Sequence, residues 1–198
     1  MTSDAGVHEA PVAAKTKVCP WWMIHAFDNP IRRIFQNPEV ILEGLVKRGD
    51  HCLDLGCGYG YFTVPMAVLA SKEGAVTAAD LQEEMLTGVK RRAENAGMAD
   101  RIRFHKVDAV ELSLQKEYDF ALAFWMIHEV PDQESTLKQI AEALKPEGRF
   151  LLVEPKGHVT ESAFARTVGL ARRAGMRPVA EPHIRFSRAV LLTSDAGA

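Results

Sequence analysis

The segment Asp54-Leu55-Gly56-Cys57-Gly58-Tyr59-Gly60 carries the clearest chemical signature in the chain. Three glycines at alternate positions follow a short apolar run and precede a helical pattern. A residue without Cβ lets the backbone turn sharply and lets a ligand lie against it. A second acidic residue, Asp80, closes the next apolar run, twenty positions beyond Gly60. A carboxylate at that place suits the two hydroxyls of a ribose, so the two motifs together describe a site for a nucleoside-containing cofactor. The loop reads G-x-G-x-G. The dinucleotide pattern G-x-G-x-x-G would need glycine at position 61, where this chain has Tyr61.

Five short apolar segments, at 51–55, 75–80, 102–107, 120–125 and 149–154, alternate with helical patterns and predict strands. A helix over 85–96 places Leu86, Val89, Ala93 and Ala96 on one face and stops at Gly97. Leu137, Ile140, Ala141 and Leu144 make a similar face before Lys145-Pro146. Asn37 caps a further helix with Pro38 at its first position, leading Ile41, Leu42, Leu45 and Val46 to the core. A last helix over 161–174, closed by Gly175, precedes strands near 177–181 and 185–193. Such alternation with apolar strands predicts an α/β fold, a parallel sheet covered on both faces. Ligands of such sheets bind at the carboxyl ends of the strands. Asp54, Asp80, Asp108 and the stretch 124–129 all fall at those ends, so one crevice can hold them.

In order along the chain come Leu53-Asp54-Leu55-Gly56-Cys57-Gly58, Ala79-Asp80-Leu81, Val107-Asp108-Ala109, Tyr118-Asp119-Phe120, His128-Glu129-Val130-Pro131-Asp132 and Leu144-Lys145-Pro146-Glu147-Gly148. In order and spacing, over residues 38 to 155, these motifs resemble the class I S-adenosylmethionine-dependent methyltransferases, in particular the small-molecule branch called type 11. The resemblance implies a Rossmann-like, doubly wound, seven-stranded and mostly parallel sheet with an antiparallel C-terminal hairpin and helices on both faces. It implies S-adenosyl-L-methionine as cofactor and S-adenosyl-L-homocysteine as product. By the same resemblance, the backbone of Gly56, Cys57, Gly58 and Gly60 lies under the methionine part, and Asp54 meets its amino group directly or through water. Asp80 accepts from the ribose hydroxyls, Leu81 packs on adenine, and Asp108 accepts from the adenine amine beside the Ala109 amide. The backbone at Phe124 closes the methionine side.

Methyl transfer from a sulfonium is an in-line displacement, which asks mainly for alignment and a dry site. Cofactor residues are therefore easier to name than catalytic ones. His128 and Glu129 follow strand four on the loop that faces the acceptor in this family. An imidazole there can take a proton from an oxygen, nitrogen or carbon acid, or only brace the loop. Glu154, ending strand five, is a further polar candidate. Cys57 is expected to pack as a small residue. Cys19 admits a metalloid or thiol role as the lesser alternative, and no metal site is expected. Residues 1–37 read as an N-terminal extension to a domain over 38–198. Its Trp21, Trp22, His25 and Phe27 either cover the site as a lid, pack on the sheet or dock on a neighbour. Only 156–160 separate strand five from its helix, leaving no room there for a covering insertion.

At 198 residues, 47 % hydrophobic, 25 % charged and with net charge −2, the chain describes one ordinary globular domain. Near-neutral charge argues against a nucleic-acid substrate. The basic clusters Arg32-Arg33, Lys90-Arg91-Arg92 and Arg172-Arg173 read as solvated helix faces. No apolar run reaches the ~20 residues that span a bilayer, and no signal-peptide profile is evident. With three cysteines and no disulfide pattern, a cytoplasmic location is expected, with no membrane partner. A Thr-Ser-Asp-Ala-Gly string occurs at 2–6 and again at 193–197 and reads as frayed tails. The leading expectation is methyl transfer to a small-molecule acceptor of unread identity by a monomer or homodimer. One alternative is a binding protein that keeps the pocket without transfer. The other is a nicotinamide-dependent dehydrogenase, disfavoured by Tyr61 and Asp54.

Overall fold

The computed structural model describes residues 30–195. The expected positions Cys19, Trp21, Trp22, His25 and Phe27, and the first copy of the Thr-Ser-Asp-Ala-Gly string, lie outside them. Helices α1 (Pro30–Phe35) and α2 (Pro38–Leu42) lead into β1 (His51–Leu55), α3 (Thr63–Ala70), β2 (Ala75–Asp80), α4 (Glu83–Asn95) and β3 (Ile102–Lys106). Then follow β4 (Tyr118–Phe124), α5 (Gln133–Ala143), β5 (Leu144–Pro155), α6 (Glu161–Arg173), β6 (Met176–Ala180) and β7 (Ser187–Ser194). The seven strands form one sheet in the order β3-β2-β1-β4-β5-β7-β6. β1 pairs in parallel with β2 and β4, and β7 pairs antiparallel with β5 and β6. This is the doubly wound sheet with a C-terminal antiparallel hairpin that the sequence predicts.

The alternation of side chains along each central strand divides the core in two. Cys52, Val76, Phe120, Leu122 and Leu151 face one layer with Leu42 of α2, Met66 of α3 and Val89 of α4. Leu53, Leu55, Ala121, Phe150 and Leu152 face the other with Leu137 and Ile140 of α5 and Ala171 of α6. Helix ends follow their side chains. Asn37, Asp132 and Thr160 each accept from a backbone N–H of the first turn. Gly97 and Gly175 take positive φ, +66° and +85°, just past α4 and α6.

Several boundaries differ from expectation, each for a local reason. Leu144, expected on a helix face, opens β5 by pairing with Tyr118, and the register then shifts before Phe120 meets Arg149. Trp125, expected inside a strand, leaves β4 at φ +61°. Ala96 lies beyond the last turn of α4 and is exposed, because the helix stops one residue sooner. β3 is an edge strand, so only its first residue is buried. Thr193 and Ser194 belong to β7 and not to a frayed tail; Thr193 is buried opposite Arg149. Among the described residues no helix is long and apolar enough to cross a membrane.

Candidate active site

Strand order reverses between β1 and β4, and the sequence-predicted residues gather at the carboxyl ends of these strands and their neighbours. Asp54 is the penultimate residue of β1, Asp80 ends β2 and Phe124 ends β4. The chain leaves β1 through Gly56, whose N–H donates to Ala79 O at 2.8 Å, which fixes the loop to the tip of β2. Gly56 has φ +70°, and a Cβ there would come within 2.9 Å of Met126 Cγ, so the position demands glycine. Gly60, at φ +79°, turns the chain toward α3.

Asp80 ties the site together. One oxygen accepts from Gly58 N–H and the other from Gln82 N–H, each at 3.0 Å. Burial pushes its carboxyl above the ordinary range; the backbone donors oppose that rise and the charge of Glu129 adds to it. Asp54 is 3 % exposed and accepts from Thr63 Oγ at 2.6 Å. Burial lifts its pKa to about 7, against the Thr63 hydrogen bond. Cys57 is buried and its thiol is pushed well up by burial, so it packs as a small residue and is not a thiolate. Leu81 lies half-buried beside Asp80. Asp108 is exposed and accepts from Val110 N–H at 2.9 Å, with Ala109 half-buried next to it. Val107 N–H donates to Asp80 O at 3.1 Å, which brings that turn to the same rim.

On the opposite side of the switch point, His128 lies in the turn after β4. Glu154, 1 % exposed near the end of β5, accepts from the His128 backbone N–H at 3.0 Å and lies 2.6 Å from His128 Nδ1. A carboxylate accepts, so this contact puts the imidazole proton on Nδ1 and leaves Nε2 as the basic nitrogen. Nε2 stands 3.9 Å from Glu129 Oε1, and the His158 ring stacks at 6.2 Å between centroids. Burial works to lower the His128 pKa, but the hydrogen bond and charge of Glu154, with the charge of Glu129, outweigh it and raise the value.

Several participants were not legible as site residues. Arg32, expected on a solvated face, instead stacks on Tyr61 with its guanidinium carbon 4.4 Å from the ring centre. Phe124 and Trp125 lie 5.3 Å from the same carbon, and Phe62 packs on Phe124 at 4.5 Å between centroids. Tyr61 OH donates to Gln36 O at 3.0 Å. Trp125 holds a left-handed backbone, φ +61°, while its indole N–H donates to Ser187 Oγ at 3.0 Å. A bulky residue in that region is strained, and such strain concentrates at functional sites. The Pro30-Ile31-Arg32-Arg33 string gave only a basic-pair signal; of the other expected solvated residues Arg33, Lys90, Arg91, Arg172 and Arg173 are exposed, and Arg92 is half-buried.

This arrangement, a glycine loop bonded to an acidic strand tip with a second buried carboxylate beside it, is that of a nucleoside-cofactor enzyme on a doubly wound sheet. A family described as a methyltransferase domain matches residues 46–178. The chain belongs to this family of methyltransferase domains. It is similar to the 27-O-demethylrifamycin SV methyltransferase of Amycolatopsis mediterranei, 33 % identical over 131 residues, covering 63 % of this chain and 47 % of that protein. It is similar also to the ubiquinone/menaquinone biosynthesis C-methyltransferase UbiE of Azotobacter vinelandii, 30 % identical over 63 % of this chain and 49 % of that one. The chain therefore spans about half the length of these curated relatives. A solved S-adenosylmethionine-dependent methyltransferase from Aquifex aeolicus shares the fold, with a TM-score of 0.79 at 20 % identity, over 88 % of this chain and 98 % of that one.

The residues present fit the family's cofactor, S-adenosyl-L-methionine. Two acidic side chains at adjacent strand tips, one held by the loop's own N–H, are suited to a ribose diol and to an ammonium.

Proposed function

We propose that this chain transfers the methyl group of S-adenosyl-L-methionine to a small-molecule acceptor whose nucleophilic atom carries a proton, and that His128 receives that proton. The bound cofactor supplies an electrophilic methyl on a positively charged sulfur. Asp80 and Leu81 would hold its ribose and adenine, with Asp108 and Ala109 at the adenine amine. Asp54, the loop from Gly56 to Gly60 and the Phe124 backbone would hold the methionine end. Glu154 keeps His128 in the tautomer with Nε2 unprotonated and favours the imidazolium once a proton arrives. Glu129 Oε1, 3.9 Å from Nε2, adds its charge to the attraction for the imidazolium once Nε2 has taken the proton. The Glu154–His128 pair, at 2.6 Å and backed by a second hydrogen bond, is the observation that supports chemistry over mere binding.

The relatives' names support a small acceptor, one being a rifamycin precursor and the other a substrate methylated at carbon in quinone biosynthesis. One imidazole base can serve an O–H or a C–H acid, so hydroxylated aromatic compounds form the first acceptor panel. The net charge of −2 favours such molecules over nucleic acid. A cytoplasmic location belongs to the same proposal. So does a covering role for residues 1–37, supported by Arg32 and Gln36 of that stretch, which already pack on Tyr61.

Release of S-adenosyl-L-homocysteine with an acceptor from the panel tests the reading. His128→Ala should retain cofactor affinity within about twofold and lose ~10²-fold or more in turnover. Turnover equal to wild type in a folded variant would reduce His128 to a brace. Binding of the cofactor with no turnover across the panel would instead support the non-catalytic binding alternative.

A further inference from the structure

The glycine loop is built from the residues with the weakest conformational preferences. Gly56, Gly58 and Gly60 all hold positive φ, +70°, +53° and +79°. Between the last two stands Tyr59, half-buried, whose ring lies on α4 at Gly88. A Cβ at Gly88 would stand 2.1 Å from Tyr59 Cδ1 and 2.7 Å from Cε1. Gly88 sits inside the 13-residue helix α4 and does not take positive φ, so its own backbone does not call for glycine. Alanine is the better residue in a helix interior. What excludes a side chain at this position is the ring of Tyr59.

The neighbouring pair reverses the sizes. A Cβ on Gly60 already stands 3.0 Å from Val89 Cγ1 if built. Two successive loop residues, one large and one bare, therefore meet two successive helix residues, one bare and one branched. The helix that makes this match begins at Glu83, three residues past Asp80, and Asp80 itself accepts from Gly58 N–H. One element thus reaches from the ribose end of the proposed cofactor site back to its methionine end.

We propose that Gly88 is a positioning residue for cofactor binding, because the Tyr59 ring seated on it holds residues 56–60 in the shape that receives S-adenosyl-L-methionine. This rests on the cofactor reading above, and it requires neither Gly88 nor the Tyr59 ring to touch the cofactor. A loop with three glycines loses much freedom on ordering, and an anchor that orders it before the ligand arrives removes that penalty from binding. An open cleft of about 490 Å³, lined by both residues with Thr87, Arg91 and Asn95, lies beside the ring. A methyl group added at Gly88 can therefore displace the ring, and the loop with it, while the helix stays formed.

Calorimetric titration with S-adenosyl-L-homocysteine of the full chain, Gly88→Ala, Tyr59→Ala and the double variant makes the test, with a melting curve for each. Gly88→Ala and Tyr59→Ala should each bind about tenfold more weakly than wild type. In the Tyr59→Ala background, Gly88→Ala should change affinity by less than about twofold. There it should also raise the melting temperature, since with no ring to meet, alanine is the better helix residue. A role of Gly88 in helix packing alone would not depend on the residue at position 59. Equal losses from Gly88→Ala in both backgrounds, or wild-type affinity in either folded single variant, would overturn the proposal. If Gly88→Ala does not fold, the double variant should fold and bind as Tyr59→Ala does. A double variant that also fails to fold would overturn the proposal, because the collision would then not be with the ring. Failure of the wild-type chain to bind would strike the cofactor reading itself, a result distinct from all of these.

Discussion

Asp54→Asn is expected to make the protein more stable and worse at binding its cofactor. Asp54 is 3 % exposed, and burial lifts its carboxyl from an ordinary 3.8 to about 7. At about 1.4 kcal/mol per tenfold change in proton affinity, that interval sets a ceiling of roughly 4 kcal/mol on the cost of the charged form. The folded state holds the proton more tightly than the unfolded chain, so stability falls as pH rises from about 4 to about 7 and stays low above. Asparagine keeps the shape and can still accept from Thr63 Oγ, which bonds Asp54 at 2.6 Å. The variant should match wild type near pH 4 and exceed it by about 1–3 kcal/mol near pH 8. Urea unfolding of both proteins across that range reads the difference, and titrating groups that do not interact with Asp54 cancel in the subtraction. Cofactor affinity should drop about tenfold at the same time, as an ammonium loses its charged partner. Parallel pH curves for the two proteins, or a variant less stable near pH 8, would refute the reasoning.

Asp80→Ala should weaken S-adenosyl-L-homocysteine by on the order of 1.5–3 kcal/mol, since it removes both a ribose acceptor and the anchor of Gly58; calorimetry reads the loss. The pH profile of kcat/KM should rise with a midpoint above the ordinary 6.5 of histidine, because the base must be unprotonated and its pKa is raised. Glu154→Gln should move that midpoint down, as burial alone lowers it, and an unmoved midpoint would detach Glu154 from His128. Cys57→Ala should leave cofactor affinity within about twofold, and a thiol reagent should label neither Cys52 nor Cys57 in the folded protein, both being buried with thiols pushed up.

The first half of the sheet was legible because local pattern and tertiary role agree there. β1 and β2 have the bounds their apolar runs predict, and the glycine loop meets the tip of β2, with Gly56 N–H on Ala79 O and Gly58 N–H on Asp80. Leu144 was misread because its helical period competes with pairing to Tyr118, which sequence does not display. The Glu154–His128 bond spans 26 positions and the Gln36–Arg185 bond 149, and no periodicity connects residues so far apart. Arg32 was hidden for a related reason. A basic pair on a short helix reads as solvated unless the aromatic rings that receive it are known to converge, and those rings come from the loop after β1 and from the end of β4.

The most direct measurement is calorimetric titration of the purified chain with S-adenosyl-L-homocysteine and NAD in parallel. Saturable binding of the sulfur compound at one site, with no heat from NAD, is the predicted result. Binding of NAD with none of S-adenosyl-L-homocysteine would contradict the assignment of the glycine loop and Asp80 to this cofactor.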